Sequence, residues 1–147
     1  MKIACSEQLI AFNRIYRELD SIYGSYAASQ GISPTTLWLL YSIYTYEGSY
    51  TQKELCDEWS YPPQTINSAL KSMEKNGLVE LVFASGNRKS KRIYLTSSGK
   101  ELAAKLVVPL IQAENSSFNG LNKDEQGHLL ATAEKHISLL KAEILKI

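Results

Sequence analysis

A Tyr-Pro-Pro sequence at positions 61–63 constrains the fold of this chain more than any other feature. The residue before a proline avoids helical geometry, so a helix is expected to stop before Tyr61. Upstream, Thr51 and Glu54 have the spacing of a capping box, which predicts a short helix to about Trp59. Downstream, Pro63 suits the first position of another helix, which would end at an Asn-Gly pair. The inward face of this second helix would consist of Ile66, Leu70 and Met73.

Directly after the second helix, the spacing of the apolar residues becomes that of strands. Residues 78–83 and 91–96 are rich in β-branched and aromatic side chains, and they flank a polar, turn-like stretch at 84–90. This pattern predicts a β-hairpin in which Ile93 and Leu95 face inward. Two helices with a very short break, followed at once by a hairpin, have the order of a winged helix-turn-helix. In such a unit the second helix enters the major groove of DNA, and a basic wing reaches the neighbouring minor groove or backbone.

Two longer helices are predicted before this unit. The first thirty residues carry an apolar row with a 3.5-residue period, and Gly31 ends that helix. The row either faces the core or packs on a second subunit, and both can hold along different lengths. Its members are Cys5, Leu9, Phe12, Tyr16, Leu19, Tyr23 and Tyr26. The next helix starts at Ser33 and Pro34 and stops near Gly48.

Two further helices are predicted after the hairpin. One begins at 96–99 and contains Pro109, which removes a backbone hydrogen bond and should bend it. The other begins at Asn122 and Glu125. Its apolar face consists of Leu129, Leu130, Ala133, Ile137, Leu140 and Ile144. The fold class is therefore mainly α with a small β-hairpin wing, an α+β chain.

The net charge of +1 means that any nucleic-acid surface must be local. The predicted wing contains four cations in the five-residue stretch 88–92. No acidic residue occurs between Leu81 and Lys100. Solvated turns account for most charge clusters, but the position directly after two helices favours contact with DNA phosphates. The predicted wing contacts are Asn87, Arg88, Lys89, Lys91 and Arg92.

The outer face of the second helix offers amides and hydroxyls that can bond to base edges, and a lysine suited to phosphate or guanine. An ordinary polar helix face would have a similar composition. The predicted DNA contacts on this helix are Pro63, Gln64, Thr65, Asn67, Ser68 and Lys71.

Several stretches together resemble the MarR-type transcriptional regulators. They lie between Ile32 and about Pro109, at residues 51–55, 64–67, 74–79 and 92–99. The most telling piece is the Leu-Thr-x-x-Gly sequence with which the second strand ends. Two features of the family pattern differ here. The usual Asp-x-Arg of the wing is replaced by Asn87 and Lys89, and a frequent recognition-helix arginine by Ser68.

The resemblance implies a triangular homodimer on a pseudo-palindromic operator of double-stranded DNA. The chain would be one MarR-like domain over 1–147, with a winged helix-turn-helix lobe at 33–96 and dimerisation helices at 1–30 and 97–147. It also implies a transcriptional repressor and, for many members, a small-molecule pocket beside the dimer helices. Aromatic rings with polar tips suit such a pocket for an aromatic or lipophilic effector. The candidates are Tyr16, Tyr23, Tyr26, Trp38, Tyr41 and Tyr44, each of which could instead pack in the core.

Other functional classes find little support in the sequence. It has no phosphate-binding glycine loop and no convincing catalytic triad, and His128 and His136 are too far apart for a metal pair on one helix. We expect no enzyme, cofactor or metal. A cytoplasmic protein without a membrane partner is expected, because the chain lacks a long apolar run and a secretory signal. Two alternatives are a thiol switch at Cys5 or Cys56 and a protein-interaction module that does not bind DNA.

Overall fold

A computed structural model describes residues 3–46, 50–84 and 86–147, and at positions 84 and 87–89 it describes the backbone only. The elements are α1 (Glu7–Ser29), α2 (Pro34–Thr45), β1 (Tyr50–Thr51), α3 (Gln52–Trp59), α4 (Pro63–Lys75), β2 (Val79–Ala84), β3 (Asn87–Leu95), α5 (Ser97–Asn119) and α6 (Lys123–Ile144). The chain divides into two compact units, Met1–Val108 and Pro109–Ile147. The mainly α architecture with a small antiparallel sheet is the one that the sequence predicts.

The predicted helix starts are confirmed by their capping hydrogen bonds. Ser33 caps α2 by accepting from the Thr36 amide, and Pro34 occupies the first turn. At α3, Thr51 and Glu54 each accept from the other's backbone amide, as a capping box requires. Asn122 caps α6 by the same arrangement. The helix boundaries are therefore determined locally, by side chains that satisfy otherwise unpaired amides.

The apolar row of α1 changes its environment along the helix. Tyr23 and Tyr26 near the end of α1 are half-buried, and the neighbouring Ala27 is fully buried. The earlier residues of the row, from Leu9 to Leu19, are exposed in this chain. The helix ends before Gly31, whose positive φ of 72° is accessible to a residue without a Cβ.

The core of the first unit is assembled from α2, the two short helices, the sheet and the first part of α5. The predicted inward faces of α4 and β3 are confirmed. The fully or nearly fully buried apolar residues include Leu37, Leu39, Leu40, Ile43, Leu55, Ile66, Leu70, Met73, Val79, Ile93, Leu106 and Val107. The end of α2 lies at Thr45, and the predicted stop at Gly48 lies outside the described residues.

The sheet has the strand order β1-β3-β2, and both pairs are antiparallel. The sequence analysis did not predict β1, which has two residues and no usable periodicity. Tyr50 of β1 packs edge-on against Tyr46, with ring centroids 5.3 Å apart. Burial raises the pKa of Tyr50, and a hydrogen bond to the Glu58 carboxylate raises it further. Side-chain contacts outside the strand therefore support β1.

The predicted boundaries of the wing require a correction. Residues 87–90 were assigned to a polar turn, but β3 already begins at Asn87. The pairing of β2 with β3 extends to Ala84 and Asn87, with a register shift between Phe83 and Ala84. Backbone pairing thus takes polar residues into the strand despite their low strand propensity. Gly86, with φ of 76°, lies between the two strands.

The Leu-Thr-x-x-Gly sequence after β3 has a direct structural explanation. The Thr96 hydroxyl donates to the Gly77 carbonyl and accepts from the Gly99 amide at 3.1 Å, which joins the end of α4 to the start of α5. A Cβ at Gly99 would collide with the carbonyl oxygen of Leu78. Only glycine fits this approach, because a backbone atom cannot move aside as a flexible side chain can.

The second unit contains the rest of α5 and α6. The Gln126 side chain donates to the carbonyls of Phe118 and Leu121 at 3.0 and 2.9 Å, which links the start of α6 to the end of α5. No residue of α6 is buried in the single chain. Among the described residues, no helix is both long enough and apolar enough to cross a membrane.

Candidate nucleic-acid interface

The turn between α3 and α4 consists of three residues, Ser60 to Pro62. Ser60 is in the left-handed conformation, with φ of 53° and ψ of 31°. Pro62 occupies the N-cap position of α4 and Pro63 its first turn. Because the proline rings fix φ at both positions, this junction holds the two helices as a compact helix-turn-helix.

The face of α4 that points away from the core carries the predicted reading residues. Gln64, Ser68 and Lys71 are exposed, and Asn67 is half-buried beside them. These four positions are spaced i, i+3, i+4 and i+7, so they form one continuous patch on the helix. Thr65 is exposed on the neighbouring row. The geometry therefore presents amides, a hydroxyl and one cation on a single face.

The first turn of α4 has one backbone amide to offer an anion, that of Gln64. Pro63 has no N–H, and the Thr65 amide donates to the Pro62 carbonyl at 2.9 Å. No acidic residue lies in this turn, and the partial positive charge of a helix start suits a phosphate oxygen.

The wing places its cations in two different surroundings. The Lys91 ammonium lies 5.0 Å from the centre of the Phe83 ring, a cation–π distance. Arg92 lies in the middle strand, opposite Thr51 of β1 and Val82 of β2. The backbone amide of Thr51 lowers the pKa of the Glu54 carboxyl, and the charge of Arg92 lowers it further. The charge of Arg92 therefore interacts with the Glu54 carboxylate of the same chain.

The remaining predicted wing residues lie in β3, and their side chains are outside the description. They are Asn87, Arg88 and Lys89. The sequence analysis did not single out Val82 and Phe83, which are exposed apolar residues on β2. The sequence of residues 78–83 predicts a strand. It does not predict where along that strand the side chains cease to be buried.

The predicted pocket residues separate into a cluster and isolated rings. Tyr23, Trp38 and Tyr41 come together, with the Trp38 ring 4.8 Å from Tyr23 and 5.6 Å from Tyr41. Trp59 of α3, which the sequence analysis did not include, stacks on Trp38 at 4.8 Å. We call these four residues the aromatic cluster.

The other three predicted pocket residues have different roles or surroundings. The Tyr26 hydroxyl donates to the Leu106 carbonyl of α5 at 2.6 Å. Tyr44 is half-buried on α2, and Tyr16 is 65% exposed on α1.

The cysteines and histidines are dispersed. Cys5 is exposed ahead of α1, Cys56 is half-buried on α3, and both are free thiols. His128 and His136 lie on α6. Within the part of the chain that the structure describes, no group of three or more His, Cys, Asp or Glu side chains is placed to hold a metal ion.

Comparison with known proteins agrees with this geometry. The model of the MarR family matches residues 30–90, which contain α2, the helix-turn-helix and the start of the wing. Over these residues the predicted resemblance to the MarR-type regulators is confirmed. The chain is similar to NMB1585, a MarR family regulator from Neisseria meningitidis, with 23% identity and a TM-score of 0.82. This similarity covers 96% of the chain and 99% of that regulator.

Two further similar structures contain DNA. One is a MarR family transcriptional regulator from Listeria monocytogenes complexed with a 26mer DNA, with 23% identity and a TM-score of 0.72, covering 99% of this chain and 93% of that one. The other is the Staphylococcus aureus MepR–DNA complex, with 20% identity and a TM-score of 0.73, covering 92% and 99%. None of the curated proteins compared with the chain matches it.

Proposed function

We propose that this MarR-type chain is a sequence-specific regulator that binds double-stranded DNA as a homodimer on a pseudo-palindromic operator. The observation that carries the proposal is the division of α4 into two faces. Ile66, Leu70 and Met73 are buried, while Gln64 and Ser68 are exposed on the opposite side. In a helix-turn-helix, that exposed face is the one that enters the major groove.

The charge distribution supports the same orientation. Lys71 lies one turn beyond the reading residues, where a cation suits the phosphate backbone better than a base. The first turn of α4 offers the Gln64 backbone amide to a phosphate, and Lys91 lies on the adjacent hairpin. Wing cations near phosphates would give a salt-dependent affinity, and a dimer would double their number. The two similar regulators in complexes with DNA support this use of the fold.

The homodimer is supported by exposed apolar side chains on the terminal helices. Ile15 and Leu19 of α1 and Ile137 and Leu140 of α6 are all at least half exposed in the single chain. Contiguous apolar surfaces of this kind are uncommon on soluble monomers and usually mark association sites. Two copies related by a twofold axis would match an operator with two half-sites.

Repression with release by a small aromatic or lipophilic effector is the regulation that we propose. A dimer bound across a promoter would exclude the polymerase. The aromatic cluster supplies flat apolar surfaces near α3, and a ligand with an aromatic ring could pack on them. A reporter gene that carries the operator should be silent with the chain present and active after addition of the effector.

A thiol switch is the alternative trigger, and it has a simple test. Replacing both Cys5 and Cys56 by serine should leave the peroxide response of DNA binding the same as that of the parent. A response of the parent that the double variant loses would establish the thiol switch and refute the effector proposal.

The decisive experiment is selection of bound duplexes from a random library, followed by titration of the selected site and a random duplex over a range of salt. We expect a palindromic consensus, tight binding to it, and weaker binding to random duplex that falls steeply with salt. Enrichment of no sequence would overturn sequence-specific recognition. Absence of binding to any duplex would instead identify a protein-interaction module.

A further inference from the structure

The α3–α4 turn has an unfavourable backbone conformation next to a well-anchored side chain. Among the described residues, Ser60 is the one non-glycine with a positive φ, a conformation that a Cβ disfavours. Such a conformation persists where the surroundings determine it more strongly than the residue's own preference. The preceding residue, Trp59, contacts a helix outside the helix-turn-helix pair.

Trp59 connects the end of α3 to α2. Its indole N–H donates to the hydroxyl of Ser42, the fully buried polar residue of α2. Its ring also stacks on Trp38 with an interplanar angle of 28°, and Trp38 packs against Tyr23 of α1. The hydrogen bond fixes the direction of the indole and the stack fixes its plane, so Trp59 has little freedom relative to α2.

The turn can transmit these constraints to α4 because it has few free dihedral angles. Only Ser60, Tyr61 and Pro62 separate Trp59 from the first residue of α4. The rings of Pro62 and Pro63 fix φ at both positions. A displacement of Trp59 is consequently passed on to the start of α4, where Gln64 lies.

We propose that Trp59 is a positioning residue that ties the recognition helix to α2 and so sets the angle at which α4 meets DNA. This inference rests on the proposed function, because it assumes that α4 reads the operator. It assigns the Trp59–Ser42 hydrogen bond a role in sequence discrimination.

The test compares the full-length parent with Trp59→Phe, Ser42→Ala and the double variant, using the selected site and a random duplex as probes. The readout is the ratio of the two affinities, since partial unfolding would lower both affinities equally and leave the ratio unchanged. Each single variant should lower the ratio by about threefold to tenfold, the effect of one net hydrogen bond. The double variant should lose no more than either single variant, because both singles break the same bond.

Controls separate the possible causes. Tyr46→Phe removes a hydroxyl from an exposed tyrosine at the end of α2 and should leave the ratio unchanged. If Trp59→Phe fails to fold, Ser42→Ala removes the same bond by deleting one atom. The chain's two tryptophans are the stacked pair, so their emission reports whether the stack persists.

The outcomes are distinct. A lower ratio in Ser42→Ala supports the proposal. An unchanged ratio in this folded variant would overturn it, even though the parent binds its operator. A parent that binds no duplex would refute the proposed function instead.

Discussion

Helices α4 and α6 have the same kind of apolar periodicity, but the folded chain treats them differently. On α4, Ile66, Leu70 and Met73 are 0%, 2% and 2% exposed. On α6, Ile137 and Leu140 are each 52% exposed. The periodicity of a sequence identifies the apolar face of a helix, but the tertiary structure decides whether that face is covered within the chain.

This difference in burial indicates that the two helices have different roles. The apolar face of α4 anchors the helix, so its polar face is presented outward at a defined angle. The apolar face of α6 is available for association, and a second copy of the chain is the partner that we propose. Substitutions on each helix can test the two sides of this comparison separately.

The largest effect is expected from a charge on the exposed face of α6. Leu140→Glu would place two carboxylates in the proposed dimer interface, where each uncompensated buried charge costs about 3–5 kcal/mol. Sedimentation should find monomers at micromolar concentration, and circular dichroism should find the helix content preserved. Lys135→Glu, also on α6, should remain dimeric. A Leu140→Glu variant that sediments as a dimer would show that α6 does not form the interface.

The next effect is expected from the buried face of α4. Leu70→Ala should lower the free energy of unfolding by about 2–5 kcal/mol, because it leaves a cavity in the core. Denaturant titrations at several protein concentrations should find this loss at every concentration. Leu140→Ala is the matched control, and its effect should vanish where the dimer is already dissociated. Equal, concentration-independent losses in both variants would mean that α6 is covered within its own chain.

A smaller effect is expected from the exposed face of α4. Gln64→Ala or Asn67→Ala should weaken operator binding by about 1–3 kcal/mol where a bidentate hydrogen bond to a base is removed. Binding to random duplex should barely change, and the exposed Gln64 should matter more than the half-buried Asn67. Lys71→Ala should weaken both duplexes equally. Parallel losses in the Gln64 and Asn67 variants would show that α4 is not the reader.

The wing should contribute to affinity without discrimination. Replacing Arg88 and Lys89 by alanine should weaken binding to all duplexes. It should also flatten the dependence of log affinity on log salt, by about one unit for each phosphate that a wing cation no longer neutralises. Lys105→Ala, a surface cation on α5, serves as the control. The idea fails if the folded double variant keeps the salt slope of the parent.

The smallest effect concerns the capping box of α3. The Thr51 amide holds the pKa of Glu54 below its usual value, so the carboxylate stabilises the folded state above pH 4.5. This contribution is lost as the pH falls through the lowered pKa. Glu54→Gln keeps a hydrogen-bonding cap and removes the titration. Its unfolding free energy should therefore fall less between pH 7 and pH 3, and an unchanged fall would contradict this assignment.

Local chemistry made much of this fold predictable from the sequence. The starts of α2, α3 and α6 depend on side chains within three residues of the amides that they cap. The break between α3 and α4 depends on two prolines, and the inward face of α4 on simple periodicity. These features follow from the sequence because each is decided by neighbours along the chain.

Tertiary contacts decided the rest. The length of β3 and the existence of β1 depend on pairing between strands, which no single segment contains. Gly99 is required by the Leu78 carbonyl, and Trp59 meets Ser42 across 17 positions of sequence. The sequence could therefore identify the helix that we propose to face DNA. The residues that hold this helix at its angle emerged only from the folded chain, because their partners lie on other helices.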